Sequence, residues 1–376
     1  MDLKDLGNQI KTYRRELHQI PELGLEEYKT CAYIGEKLKE FGLHPFTIAK
    51  TGVYVYIDAG SDETYAFRAD MDALEAEEEN DVEYSSKHPG KMHACGHDGH
   101  MAMLLGLAKV LSKTENIKKN ILLIFQPAEE GPGGAKIITE SGIFEKYNVK
   151  GIFGIHLFPT LDEGIIASKA GPFMAQSGEI DVIIKGEGGH GGMPHNAIDS
   201  ILVASKFLSS CQSIISRSIS PLETAVISFG KIRGGSARNI VAEKTHIEGT
   251  VRTFSKETFG IIKKRILQIS KGLEESFDVE IDVNLEPYYP PVINDKALYK
   301  KVAEKVHIEE TDPVMLAEDF SYYQEKIPGV FYFLGSRNRE LGFDYPLHSC
   351  SFNFDEKILL KGIEHYINIL TALEAI

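Results

Sequence analysis

A chain of 376 residues exceeds the roughly 250–300 at which one hydrophobic core stops growing, so a main domain with a second, smaller one is expected. Its composition, 43% hydrophobic and 26% charged, is that of a folded globular protein and excludes a disordered chain. With 55 acidic against 41 basic residues the net charge is −14, which argues against nucleic-acid and anionic-membrane partners, since both are recognised by clustered Lys and Arg. No basic head precedes an apolar run at the N-terminus, and no uncharged stretch approaches the ~18 residues of a membrane helix. The four cysteines, Cys31, Cys95, Cys211 and Cys350, are too scattered for a disulfide framework, so a cytoplasmic protein with reduced thiols is the expectation.

Leu3, Leu6, Ile10, Tyr13 and Leu17 recur at helical spacing and predict an opening helix with one apolar stripe. Cys31, Ile34, Leu38 and Phe41 predict a second, stopped by Gly42. Residues 65–67, 121–125, 151–155 and 330–334 read as buried strands alternating with helical patterns. That alternation implies an α/β fold with helices on both faces of a mostly parallel sheet. Residues 178–286 have another rhythm, strand, helix, strand, strand, helix, strand, which is the order of a ferredoxin-like α+β unit. The expected organisation is therefore a catalytic domain in two parts, residues 1–176 and 287–376, interrupted by an inserted domain at 177–286.

Polar groups of metal-ligand type follow these strands. Asp70 and Asp72 come after the first, Glu129 and Glu130 after the second, and His156 directly after the third. Residues 93–100 (HACGHDGH), just ahead of a helix expected at 101–111, supply Cys95 and His97, and His348 follows the last strand. Taken singly, each has a plainer reading: a buried thiol, a solvent-facing acid pair, a satisfied histidine. Open α/β sheets gather ligands at the carboxyl ends of their strands, so five separated segments pointing to one place favour a metal site. Such a set could hold two metal ions that polarise a carbonyl and acidify a water, while a neighbouring carboxylate carries the proton to a leaving amine. No Walker A, G-x-S-x-G or dinucleotide fingerprint offers a rival chemistry.

Residues 18–24 (HQIPELG), 68–74 (RADMDAL), 93–100, 127–131 (PAEEG), 154–156 (GIH) and 347–349 (LHS) resemble, in order, the aminoacylase/carboxypeptidase-like dinuclear metallo-amidohydrolases, in the branch with a Cys-Gly-His motif. The resemblance implies a zinc-peptidase-like catalytic domain and an inserted dimerisation domain. It further implies that Cys95, His97, Glu130, His156 and His348 bind two divalent ions (Mn, Zn, Co or Ni), that Glu129 is the general base, and that Asp70, with Asp72 close behind, orients a ligating histidine. His190, in residues 188–195 (GGHGGMPH), matches a histidine that reaches a neighbouring active site and helps hold the oxyanion; as a sequence it also reads as a surface turn. Asn239 and Arg252 match positions that hold substrate polar groups, Arg252 the α-carboxylate, although a surface arginine on a strand edge would look the same. The implied reaction is hydrolysis of a small N-acyl amino acid by a homodimer or homotetramer. N-acetyl-L,L-diaminopimelate, on the route to lysine, is the first choice, and hippurate or indole-acetyl amino acids are the alternative. The chain departs from many relatives at Glu75, where proline gives way to an acidic run whose members Glu77 to Glu79 or Asp81 could attract the substrate's distal amine.

Overall fold

The computed structural model describes residues 3–376; the side chains of Leu3 and Lys4, and with them the first position of the apolar stripe, lie outside the described residues. The chain forms two compact units, one of Met1–Phe173, Ile293–Asp312 and Asp319–Ile376, the other of Met174–Val292 and Pro313–Glu318.

The first unit opens with α1 (Leu3–His18) and α2 (Tyr28–Glu40). Leu6, Ile10, Tyr13 and Leu17 are buried along one face of α1, and Ile34 and Leu38 along α2. Beyond α2, Gly42 takes φ +80°, the left-handed conformation that ends helices without a Cβ penalty. There follow β1 (Pro45–Ile48), β2 (Gly52–Ile57), β3 (Thr64–Asp70), α3 (His97–Leu111), β4 (Asn120–Gln126), β5 (Val149–Asp162) and β6 (Ile166–Ser168). β3 and β4 are buried at all seven of their positions, so neither face meets solvent, as expected of central strands in a parallel sheet. α3 begins at His97, four residues before the apolar run that predicted it, because its polar first turn, His97 to His100, is buried among polar partners rather than apolar ones.

The second unit holds β7 (Gln176–Lys185), α4 (Ser200–Arg217), β8 (Ala225–Gly234), β9 (Lys244–Thr253), α5 (Lys256–Phe277) and β10 (Glu280–Pro287). Its strands pair antiparallel in the order β8-β9-β7-β10, the ferredoxin-like arrangement. Asp199 caps α4 by accepting from the Ile201 and Leu202 N–H groups, and Ser255 caps α5 by accepting from Thr258. Ile180, Val182 and Ile184 of β7 pack with Phe207 of α4 and Phe259 and Ile262 of α5 in a core of their own.

The chain then adds β11 (Glu309–Glu310), β12 (Gly329–Arg337) and α6 (Ile358–Ala372) to the first unit. Its sheet has eight strands in the order β1-β2-β4-β3-β5-β12-β6-β11. The central four, β4, β3, β5 and β12, are mutually parallel, while β1 and β2 add an antiparallel margin. Phe67 of β3 stacks on Phe153 of β5 at 5.5 Å between centroids and meets Tyr366 of α6 edge-on at 5.2 Å.

Gly335 of β12 lies beside an irregularity in the pairing with β5, where a Cβ would fall 2.0 Å from the Asp162 carbonyl oxygen. Gly335→Ala is expected to cost about 1–3 kcal/mol, the usual range for a forced fit, and to lower the denaturation midpoint. An unchanged midpoint would show that the two strands part without cost.

Candidate metal centre

The parallel strands deliver the predicted groups to one end of the sheet. β3 ends at Asp70, with Asp72 two residues on, and β4 ends at Gln126, ahead of the loop that carries Glu129 and Glu130. His156 sits within β5 rather than at its end, since pairing with β12 carries the strand six residues further. Cys95 lies two residues ahead of α3, with Gly96 between, His97 is that helix's first residue, and His348, in the loop after β12, is anchored by its own N–H donating to the Ala94 carbonyl at 2.9 Å.

Cys95, His97 and Glu130 each offer a ligand atom, all within 4.8 Å of one another. Cys95 Sγ lies 3.5 Å from His156 Nε2, and Glu130 Oε1 lies 3.2 Å from His348 Nε2. Thus the five predicted ligands come together. The imidazole hydrogen bonds show which nitrogens are available. His97 Nδ1 donates to the Asp72 carbonyl at 2.9 Å, leaving Nε2 buried without a hydrogen bond. His156 Nδ1 donates to the Leu157 carbonyl at 2.6 Å, leaving Nε2 turned to the thiol. This is the arrangement in which a second hydrogen bond fixes the tautomer of a ligating histidine. His100 also lies in a potential ligand group with Asp70, His97 and His156. Both of its nitrogens are engaged, however: Nδ1 donates to Asp70 Oδ1 at 2.6 Å and Nε2 accepts from the Leu157 N–H at 2.9 Å.

The electrostatics call for a cation at this place. Burial alone would lower the His97 imidazole, but Asp70, Asp72 and Glu130 overcome it and push it up to about 10. Burial, then Glu130, Glu129 and Asp70, hold the Cys95 thiol well above its ordinary range. A divalent ion would relieve both, and it would meet the unsatisfied buried atoms His97 Nε2 and Glu130 Oε1. The residues present therefore fit a metal.

Asp70 and Asp72 divide their work differently from the expectation. Asp70 is bound by Arg68 Nη1 at 2.7 Å and by His100, and its approach to His97 Nε2 is 3.7 Å. It is Asp72 that steadies the candidate ligands: its carbonyl takes His97 Nδ1–H and its Oδ2 accepts the Glu130 N–H at 2.9 Å. Glu129 is 6% exposed, and its Oε1 accepts the Asp319 N–H at 3.3 Å. The Asp319 carboxylate accepts from Arg68 Nη2, Gln126 Nε2 and the Ala135 N–H, each at 2.9 Å. Sequence reasoning missed Asp319, and Arg68 and His100 were noticed only as parts of motifs. Of the acidic run, Glu78 is not a rim charge, because His18 Nε2 (2.9 Å) and the Ser86 N–H (2.6 Å) hold it inside.

His190, Asn239 and Arg252 belong to the second unit. His190 is exposed, with Nδ1 accepting the Gly192 N–H at 3.0 Å, and Asn239 is its neighbour through the Gly191 N–H, which donates to the Asn239 carbonyl at 2.8 Å. Arg252 is half-buried on β9, which lies between β8 and β7 rather than at the sheet edge, and it donates to Thr250 Oγ1 at 2.5 Å.

The state of the thiol can be checked without metal. In metal-free protein near about pH 7.5, iodoacetamide should label Cys95 at least ~10-fold more slowly than the partly exposed Cys350, since only thiolate reacts. Equal labelling by peptide mass spectrometry would show an accessible or ionised thiol.

Residues 66–372 match the description of Peptidase family M20/M25/M40. The chain is 41% identical over 371 residues to an IAA-amino acid hydrolase (ILR1-like 4) of Arabidopsis thaliana, covering 95% of this chain and 84% of that protein. It is 39% identical over 375 residues to an N-acetyldiaminopimelate deacetylase of Listeria monocytogenes, covering 96% and 99%. Among solved structures, a Bacillus subtilis protein described as a dinuclear metal-binding peptidase of the M20 family superposes with a TM-score of 0.83 at 31% identity, over 99% of this chain and 100% of that one. On sequence and fold together, the protein belongs to Peptidase family M20/M25/M40.

Proposed function

We propose that the protein is a metal-dependent amidohydrolase that cleaves N-acetyl-L,L-diaminopimelate to L,L-diaminopimelate and acetate, in the cytoplasm and in the service of lysine synthesis. The observation that carries the hydrolytic reading is the convergence of Cys95, His97, Glu130, His156 and His348, with unsatisfied buried atoms among them and Glu129 beside them. The relative from Listeria monocytogenes, alike from end to end, supports this substrate. The plant relative, equally similar, supports the second reading, an aminoacylase for indole-acetyl or hippurate-type amides.

Two divalent ions held by those five residues would supply Lewis acidity for the amide carbonyl and for an attacking water. The protein's own groups carry the remaining steps. Glu129 takes the proton of the water and returns it to the departing amine, and the Asp319 N–H holds its carboxylate in place for both transfers. Asp72 keeps His97 and Glu130 turned toward one another through its carbonyl and its Oδ2. Following the family resemblance, His190 is proposed to donate to the oxyanion, Arg252 to take the substrate carboxylate and Asn239 a further polar group, in a homodimer or homotetramer.

Turnover of N-acetyl-L,L-diaminopimelate, hippurate, indole-acetyl amino acids and N-acetyl amino acids, measured with manganese, cobalt, nickel or zinc added, should show the first substrate preferred in kcat/KM. Preference for the aromatic amides would establish the second reading. Glu129→Gln should lower kcat by about 10²–10⁴-fold, the usual contribution of a general base, while metal per chain stays at the wild-type level. Normal turnover in that variant would place the base elsewhere.

A further inference from the structure

Residues 18–24 (HQIPELG) stand out in the sequence yet supply none of the proposed ligands. In the structure this segment and the residues just after it touch the site three times, each time one residue away from a functional group. His18 Nδ1 bonds Asp98 Oδ2 at 2.7 Å, and Asp98 follows His97. The Glu22 carbonyl accepts the Ala73 N–H at 2.8 Å, and Ala73 follows Asp72. Glu27 Oε1 accepts the Ala128 N–H at 2.9 Å, and Ala128 precedes Glu129.

The last contact is the most exacting. Ala128 has φ +56°, the left-handed region that a residue with a Cβ occupies only when its surroundings enforce it. The enforcement is visible on both sides of the residue. Its N–H is held by Glu27, whose other oxygen accepts the Thr51 hydroxyl at 2.5 Å, and its carbonyl accepts the Gly133 and Gly134 N–H groups at 3.1 and 2.9 Å. Both Glu27 and Ala128 have no exposed surface. Gly24 presses on the same loop, where a Cβ would come 2.5 Å from the Gly131 carbonyl oxygen and 3.1 Å from Ala128 Cα. Because Ala128 is the residue before Glu129, its backbone angles set where the Glu129 carboxylate points. Glu130, one residue on, has its own tether in Asp72.

We infer that Glu27 is a positioning residue for the general base: by holding the Ala128 N–H it keeps the loop in the left-handed turn that aims Glu129, while metal binding relies on the separate tether from Asp72. This rests on the reading of Glu129 as base and Glu130 as ligand. A neutral amide should serve in place of the carboxyl, since Gln offers an oxygen to the Ala128 N–H and the Thr51 hydroxyl can turn from donor to acceptor. Burial also pushes the Glu27 carboxyl up to about 7, against the lowering effect of its Thr51 hydrogen bond, so a neutral side chain is a fair substitute near neutral pH.

The test uses the full chain with Glu27→Ala, Glu27→Gln and Gly24→Ala. In the metal-loaded enzyme, Glu27→Ala and Gly24→Ala should lower kcat at least ~10-fold with KM and metal per chain near wild type, as misplacing a reacting group does, and Glu27→Gln should keep kcat within about threefold. In metal-free protein, hydrogen exchange of peptides covering residues 126–135 should be faster than wild type in Glu27→Ala and unchanged in Glu27→Gln. Wild-type kcat in Glu27→Ala, a kcat loss that only follows loss of metal or of folded protein, or a Glu27→Gln variant as impaired as Glu27→Ala would each overturn the inference. Should Glu27→Ala fail to fold, Glu27→Gln and Gly24→Ala decide the matter. A normally active Glu129→Gln would instead overturn the base assignment, and it leaves the exchange result to be judged on its own.

Discussion

Keeping carboxylates out of water is the constraint around which the first unit is arranged. Asp70, Asp72, Asp98 and Asp319 are at most 1% exposed, and an unpaired buried charge costs several kcal/mol. Three of them are compensated within the protein. Asp98 has Arg14 Nε at 2.8 Å and His18, Asp70 has Arg68 and His100, and Asp319 has Arg68, Gln126 and a backbone N–H. Asp72 and Glu130, by contrast, are approached by imidazoles, His97 Nδ1 at 3.4 Å from Asp72 Oδ1 and His348 Nε2 at 3.2 Å from Glu130 Oε1. The negative charge left over is what a pair of divalent ions would neutralise.

The same buried acids also organise the backbone. Loops at the carboxyl ends of parallel strands carry N–H groups that no strand neighbour can take up, and buried groups of this kind must find acceptors. Here Glu27 takes Ala128 and Asp72 takes Glu130 on the loop after β4, and Asp319 takes Ala135 in the first turn of the short helix that follows it (Gly134–Glu140). Each tie satisfies a donor and a carboxylate together. The proposed base and ligand on that loop are therefore held by the fold itself. Arg68, buried between Asp70 and Asp319, joins β3 to the last part of the unit in the same manner.

Much of this was open to reading before any coordinates. The apolar runs at 65–67, 121–125, 151–155 and 330–334 became the four central parallel strands, whose two covered faces leave no place for a polar alternation. That ligand-type groups from five segments meet at one place could be read from their positions after buried strands, whereas the choice of Cys95, His97, Glu130, His156 and His348 among them came from the family resemblance. The start of α3 could not be read, because its first turn is polar and shows no apolar period. Nor could the division between Asp70 and Asp72 be read: two acids with one residue between them look alike until the partners of each are known. In the sequence Glu78 reads as one more rim charge, because nothing in its neighbourhood announces His18, sixty residues away.

The sequence by itself determined which segments are strands or helices and which residue types are collected at the strand ends, because both follow from local periodicity and side-chain chemistry. The charge balance follows the same division. A net charge of −14 is plain from composition, but which acids face solvent and which meet one another is decided by contacts across the fold. Only the tertiary structure decided that Asp72 steadies the candidate ligands His97 and Glu130, that Asp319 pairs with Arg68 across 251 positions, and that Glu27 holds the turn before Glu129. Hydrogen bonds between segments so far apart leave no periodic trace in the chain, since each partner is an ordinary polar residue until folding removes water from around it.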